Sequence, residues 1–129
     1  MNGRFLFDTS IIIALFANES EVRNRISASE EVFTSSVSLG ELYFGAYRSA
    51  KVRENINRID DFALSTTVLN CSAETAKRYG EIKNRLKDKG KPIPENDIWI
   101  AALANQYDLT LVTRDTHFSV VDKLKLETW

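Results

Sequence analysis

The sequence predicts an α/β fold, a three-layer sandwich in which a mostly parallel sheet of four to five strands lies between helices. Short apolar segments alternate along the chain with longer segments of helical period, which is the pattern of strands joined by helical crossovers. The chain has 129 residues, 43% of them hydrophobic, and contains no repeat or Pro- and Ser-rich linker. We therefore expect one domain over residues 1–129.

Strands are predicted from short apolar runs, and helices from capping residues and hydrophobic spacing. Ser72 and Gly90 bound the longest predicted helix, and Pro94 is placed at the first helical position of the next. The predicted strands are residues 4–7, 32–34, 67–69 and 109–113, with 124–127 as a candidate fifth. The predicted helices are residues 10–17, 21–29, 36–47, 52–63, 73–89 and 94–106.

Charge and composition exclude several classes of protein. Seventeen basic and 18 acidic residues give a net charge of −1, so any nucleic-acid site must be a local feature of the surface. The single cysteine, Cys71, excludes an internal disulfide. The longest apolar runs have seven residues, too few to span a membrane. We expect a soluble, cytoplasmic protein with no membrane partner.

Two carboxylates follow predicted strands, one directly and the other almost directly. Asp8 comes after the first strand and Asp115 after the fourth, and ligands of parallel sheets collect at this carboxyl edge, where the strand order switches. If those two strands lie together near the centre of the sheet, the two side chains are close. The alternative is that Asp8 caps a helix and Asp115 begins a turn.

Two further carboxylates lie on faces that their helices are expected to bury. Apolar or small residues surround Glu41 and Asp97 at helical spacing, and a buried carboxylate costs free energy unless it is paired or coordinated. The alternatives are an ion pair of Glu41 with Arg48 or Arg114, and a favourable interaction of Asp97 with the helix dipole.

Four carboxylates at one sheet edge need a compensating charge, because each raises the pKa of the others. Oxygen ligands favour Mg²⁺ or Mn²⁺, and the chain has only one His, His117, so a zinc cluster is excluded. Such a site suits hydrolysis of phosphodiesters by metal-activated water. The expected products carry a 5′-phosphate and a 3′-hydroxyl, since the 2′,3′-cyclic route usually uses two histidines.

Four segments of this sequence resemble a known family: FLFDTSIII, SSVSLGELYFGA, GKPIPENDIWIAALA and LVTRDTHF, with LKLETW at the close. In this combination and order the chain resembles the PIN-domain ribonucleases, specifically the VapC-like toxins of bacterial type II toxin–antitoxin systems. The resemblance implies a PIN-like sandwich, a homodimer, and Mg²⁺- or Mn²⁺-dependent endoribonuclease activity on tRNA or ribosomal RNA. It also implies a cognate antitoxin that holds this activity in check.

The resemblance assigns roles to individual residues. Thr113 matches a hydroxyl that supports the site, and Ser10 stands where the family often has Asn, whose hydrogen bonds a serine hydroxyl can also make. We expect Asp8 and Asp97 to contact the metal directly. The family's catalytic and metal-binding carboxylates match Asp8, Glu41, Asp97 and Asp115.

A basic segment is the candidate RNA-binding surface. Residues 77–91 hold seven basic and two acidic residues, a local charge of +5 against −6 for the remainder. The alternative is a solvated helix face. For His117 we expect a structural or RNA-contacting role, and for the aromatic residues of the early helices mostly core packing, with some lining an antitoxin groove. The candidate RNA-binding residues are Lys83, Arg85, Lys87 and Arg114.

Three other functions compete with this interpretation. A receiver-like signalling domain fits poorly, because Asp8 stands alone after the first strand and Asn70 follows the third, where a phosphoacceptor Asp is needed. A PIN domain that only binds RNA or a partner is disfavoured by the retention of all four carboxylates. Cleavage of single-stranded DNA as well as RNA stays open.

Overall fold

The computed structural model describes residues 3–29 and 31–129, and all its strands join one sheet. None of the helices in these residues is both long and apolar enough to cross a membrane. The strands are β1 Arg4–Phe7, β2 Glu31–Ser35, β3 Thr67–Leu69, β4 Thr110–Val112 and β5 Leu126–Glu127. The helices are α1 Thr9–Phe16, α2 Ser20–Ser27, α3 Ser36–Tyr47, α4 Val52–Ser65, α5 Ala73–Lys89, α6 Glu95–Gln106 and a 3₁₀ helix, Thr116–Val120.

The sheet has the order β3-β2-β1-β4-β5, and every neighbouring pair is parallel. β1 is the central strand, with Phe7 opposite Thr34 on one side and Val112 on the other. The predicted adjacency of the first and fourth strands is confirmed. The strand order switches at β1, so the crevice beyond its carboxyl end is where the fold places a ligand.

Helices cover both faces of the sheet, because successive side chains of a strand point to opposite sides. Leu6 of β1 belongs to a buried cluster formed with α5 and α6, whereas Phe7 belongs to a second cluster formed with α1–α4. Both side chains are fully buried. The three-layer α/β sandwich expected from the sequence is confirmed.

Helix ends follow the capping residues, with small displacements. Ser72 caps α5 through a reciprocal pair of hydrogen bonds with Thr75, and Gly90 ends it in the left-handed conformation at φ +68°. Pro94 is the residue before α6 rather than its first, with an extended ψ of 144°. β4 is shorter than predicted, because its pairing covers only three residues.

Candidate active site

Asp8 lies at the end of the central strand and is almost fully buried, with 5% of the residue exposed. Its carboxylate does not cap α1. Instead Asp8 Oδ2 accepts hydrogen bonds from Thr113 Oγ1 at 2.7 Å and from Ser10 Oγ at 3.1 Å. The capping alternative therefore does not account for this side chain, and both residues expected to support the site contact it.

The same two hydroxyls hold the segment that follows β4. Thr113 Oγ1 accepts the Asp115 N–H at 2.9 Å, and Ser10 Oγ accepts the Arg114 N–H at 3.1 Å. Each hydroxyl thus donates to Asp8 and accepts from the neighbouring loop. This double use fixes the position of Asp115 relative to Asp8 across the β1–β4 edge.

Asp97 enters the site from the first turn of α6, with 11% of its side chain exposed. His117 Nδ1 lies 3.2 Å from Asp97 Oδ2 and 3.0 Å from Asp115 Oδ1. One potential ligand atom from each of these three residues lies within 4.8 Å of the other two. The structure therefore brings Asp97 and Asp115 together, with His117 against both.

Glu41 comes from the middle of α3 and is half-buried. Its Oε1 accepts a hydrogen bond of 2.6 Å from Thr9 Oγ1, and its Oε2 one of 3.4 Å from Asn96 Nδ2. Within the described part of the chain, no ion pair joins Glu41 to Arg48 or Arg114. The arginine alternative from the sequence is therefore wrong, and hydroxyl and amide groups hold this carboxylate.

Burial and mutual repulsion shift two of the four carboxyl groups. Burial raises the pKa of Asp8, and the charge of Glu41 raises it further, although hydrogen bonds from Thr113 and Ser10 oppose the shift. Burial also raises the pKa of Asp97, with added repulsion from Asp8 and Asp115, while the contact with His117 lowers it. Repulsion thus links Asp8 to Glu41, and Asp97 to both Asp8 and Asp115.

Three of the four candidate RNA-binding residues form ion pairs with carboxylates. Lys83 Nζ lies 2.6 Å from Glu95 Oε1, and Arg85 lies 3.2 Å from Glu81. Lys87 is exposed and has no ion pair with a described carboxylate. The Arg114 guanidinium donates to both carboxylate oxygens of Glu19, at 2.7 and 3.1 Å, and to the Trp129 carbonyl at 2.8 Å.

Sequence reasoning did not place Thr9, Asn96 or His117 against the carboxylates. Thr9 and Asn96 are immediate chain neighbours of Asp8 and Asp97, and this adjacency was the available signal. Their shared contact is nevertheless with Glu41, 32 and 55 residues away along the chain. His117 lies two residues beyond Asp115, which puts its ring within reach of that carboxylate.

Comparison with known proteins gives one consistent answer. A family model described as PIN domain matches residues 5–124. The chain is 35% identical to Ribonuclease VapC2 of Haemophilus influenzae and 33% identical to a tRNA(fMet)-specific endonuclease VapC of Shigella flexneri; each match covers 98% of both chains.

Solved structures agree over the whole fold. A VapBC2 structure from Rickettsia felis, bound to a promoter DNA fragment, aligns with a TM-score of 0.91 at 29% identity and covers 98% of each chain. A DNA-bound VapBC structure from Salmonella typhimurium aligns with a TM-score of 0.92 at 27% identity, over 100% of this chain and 99% of that one. The chain therefore belongs to the PIN-domain family and, within it, to the VapC ribonucleases.

Proposed function

We propose that this VapC ribonuclease is an Mg²⁺- or Mn²⁺-dependent endoribonuclease toxin that hydrolyses RNA at the four-carboxylate site and is neutralised by an antitoxin. The observation that carries the proposal is the buried Asp8 carboxylate at the switch point of the sheet. Burial and the charge of Glu41 raise the pKa of Asp8, and burial together with the charges of Asp8 and Asp115 raises the pKa of Asp97. A carboxylate buried without a cationic partner is costly. A divalent cation would remove that cost.

The donor atoms fit a hard divalent cation, because carboxylate oxygens predominate. Asp8 and Asp97 would hold the ion directly, with Glu41 and Asp115 orienting its waters or a second ion. When bound, such a cation supplies a water of lowered pKa and neutralises charge on the phosphoryl group.

The chain's own residues preorganise this site. Thr113 and Ser10 hold Asp8, and Thr9 holds Glu41, so the carboxylates need little rearrangement to act. The single histidine lies against Asp97 and Asp115, and no second histidine is present to complete an acid–base pair. We therefore propose hydrolysis that leaves a 5′-phosphate and a 3′-hydroxyl.

The proposed substrate is RNA, with tRNA as the first class to test because the Shigella flexneri relative is named for tRNA(fMet). The basic helix α5 leads into the loop before Asp97, so cations there can hold a phosphate backbone beside the carboxylates. Lys83 and Lys87 line one groove with Glu95, whereas Arg85 lines a groove on the other side of α5. Lys83, Arg85 and Lys87 are the proposed contacts. Arg114 would contribute only if RNA displaces Glu19 from its guanidinium.

The proposed protein partner is an antitoxin, in line with the VapBC complexes among the similar structures. A groove of about 320 Å³ between α1, α3 and α4 is lined by Ile13 and Phe16 and reaches Glu41. Ile13 is 56% exposed, an apolar surface that a partner segment can cover. A peptide lying in this groove would end beside the carboxylates and block access. A homodimer remains a further prediction.

Metal-dependent cleavage is the first experiment. Purified wild-type protein with Mg²⁺ or Mn²⁺ is expected to cut total bacterial RNA into discrete fragments, and Asp97→Asn to lower the rate by about 100-fold or more, because it removes a charge at the reacting centre. Gel electrophoresis of the fragments measures the cleavage rate, and analysis of their end groups tests for the 5′-phosphate and the 3′-hydroxyl.

EDTA and Asp8→Asn should also stop cleavage. Asp61→Asn, which removes an exposed carboxylate of α4, is the matched control and should cut like the wild type. Wild-type turnover by a correctly folded Asp97→Asn protein would contradict the proposed site.

The raised pKa of Asp97 also has a consequence for stability. The folded state binds this proton more tightly than the unfolded state, so stability decreases as pH rises above the ordinary carboxyl range. An asparagine side chain does not ionise, and Asp97→Asn should therefore raise the Tm of EDTA-treated protein at pH 7 by roughly 2–6 °C, but not at pH 3. Thermal denaturation between pH 3 and pH 8 measures the difference; one that is constant over this range would contradict the electrostatic explanation.

The role of the basic residues of α5 in RNA binding is tested by charge reversal. Changing Lys83, Arg85 and Lys87 together to Glu is expected to weaken RNA binding by tenfold or more while Mn²⁺ affinity changes little, because phosphate contacts dominate affinity for nucleic acid. Fluorescence anisotropy with labelled RNA, in an Asp97→Asn background that prevents cleavage, measures the RNA affinity. Isothermal titration calorimetry with Mn²⁺, on the triple variant that retains Asp97, measures the metal affinity.

The matched control reverses three exposed cations elsewhere, Arg23, Lys51 and Arg53, for the same change in net charge. If both triple variants lose the same RNA affinity, only net charge matters. Lys83, Arg85 and Lys87 are then not the RNA-binding residues.

The proposed antitoxin-binding groove between α1, α3 and α4 is tested by introducing a carboxylate into it. Ile13→Asp should weaken the complex with the antitoxin by tenfold or more, because the carboxylate would be desolvated in an apolar groove. Leu64→Asp is the control, since Leu64 is 87% exposed and lines a different groove. Isothermal titration calorimetry measures both, and equal affinities of the two variants would place the antitoxin elsewhere.

A further inference from the structure

The only histidine of the chain lies against two of the proposed metal-binding carboxylates. His117 Nδ1 is 3.0 Å from Asp115 Oδ1 and 3.2 Å from Asp97 Oδ2. The three residues each offer a ligand atom within 4.8 Å of the others. The ring nitrogen therefore belongs to the same cluster of donor atoms as the two carboxylates.

The backbone holds His117 in this place. Asp115 begins the 3₁₀ helix and accepts the His117 N–H at 3.0 Å. The next residue, Phe118, is fully buried in the core formed with α5 and α6. Because both sides of His117 are anchored, the fold holds its backbone beside Asp115. Half of its side chain remains exposed, which leaves the cluster open to an ion from solvent.

The distances suit shared coordination. Mg²⁺–oxygen bonds of about 2.0–2.1 Å in an octahedral site put adjacent ligand atoms roughly 2.8–3.0 Å apart, and the separations of 3.0 and 3.2 Å lie at or slightly above this range. Nδ1 carries at most one hydrogen, so it can direct only one N–H toward these two oxygens. One ion between the three atoms would satisfy all of them at once.

We propose that Nδ1 of His117 is a direct ligand of a divalent cation that Asp97 also holds, and that Asp115 contacts this ion directly as well rather than through a water molecule. This inference rests on the proposed metal-dependent function and adds a nitrogen donor to an otherwise oxygen-only site. Imidazole suits transition metals, whereas Mg²⁺ prefers oxygen ligands. The site should therefore favour Mn²⁺ over Mg²⁺ because of this one residue.

The composition of the chain makes a spectroscopic test unambiguous. Because His117 is the only histidine, an imidazole ¹⁴N coupling to bound Mn²⁺ can come from no other side chain in a protein freed of any purification tag. Pulsed electron paramagnetic resonance of the Mn²⁺-loaded wild-type protein is expected to show this coupling, and His117→Phe is expected to lack it.

Affinity provides the second measurement. His117→Phe and His117→Ala should each weaken Mn²⁺ binding by about 100-fold or more, which exceeds the roughly 10- to 100-fold loss for a residue that only supports a metal ligand, and should weaken Mg²⁺ binding less. Isothermal titration calorimetry with each metal alone gives the ratio. Ser119→Ala, a change of an exposed hydroxyl in the same 3₁₀ helix, is the matched control and should bind both ions as the wild type does.

The outcomes separate the two proposals. Mn²⁺ binding that is lost in Asp97→Asn but shows no ¹⁴N coupling in the wild type would overturn the role of His117 and leave the carboxylate site intact. An equal loss of Mg²⁺ and Mn²⁺ affinity in both His117 variants would overturn the selectivity. Failure of the wild type to bind either ion would overturn the metal-dependent function, and the ligand role with it.

Discussion

The buried carboxylate of Asp8 is the constraint on which the rest of this site depends. It stands at the end of the central strand, where a parallel sheet leaves its crevice, and only 5% of the residue is exposed. Two hydroxyl groups oppose the cost of its burial, and both come from residues that also hold the loop after β4. Ser10 and Thr113 therefore support Asp8 and position Asp115 through the same two hydroxyl groups.

The site stores electrostatic repulsion that the fold must tolerate. The pKa values of Asp8 and Asp97 are raised in the folded state. Without a cation, the folded protein is therefore less stable at neutral pH than at a pH where both groups are protonated. The cores on both faces of the sheet supply the stability that permits this. Repulsion held in place by a rigid scaffold is also what would make cation binding favourable, because binding relieves it.

Local patterns predicted the elements and the carboxylate positions, because these depend on near neighbours. Apolar runs followed by Asp8 and Asp115 were sufficient to place both at one edge once β1 and β4 were taken as adjacent. Partners distant in sequence were not predictable in this way. An ion pair with Arg48 or Arg114 was the alternative to a metal-site role for Glu41, but Thr9 and Asn96 contact it instead. Only their adjacency to Asp8 and Asp97 in the chain indicates these partners.

The basic segment illustrates the same limit in electrostatics. Counting along the chain gives residues 77–91 a charge of +5, but folding brings acids from other segments against it. Glu95 pairs with Lys83, and Asp122 with Lys89. The positive potential near this segment is thus smaller than a charge of +5 would produce. It is concentrated at cations such as Lys87, which has no ion pair with a carboxylate among the described residues. Exposed pairs contribute little to stability, so an incoming phosphate backbone can exchange with these carboxylates at low cost, and RNA binding there should be strongly sensitive to salt.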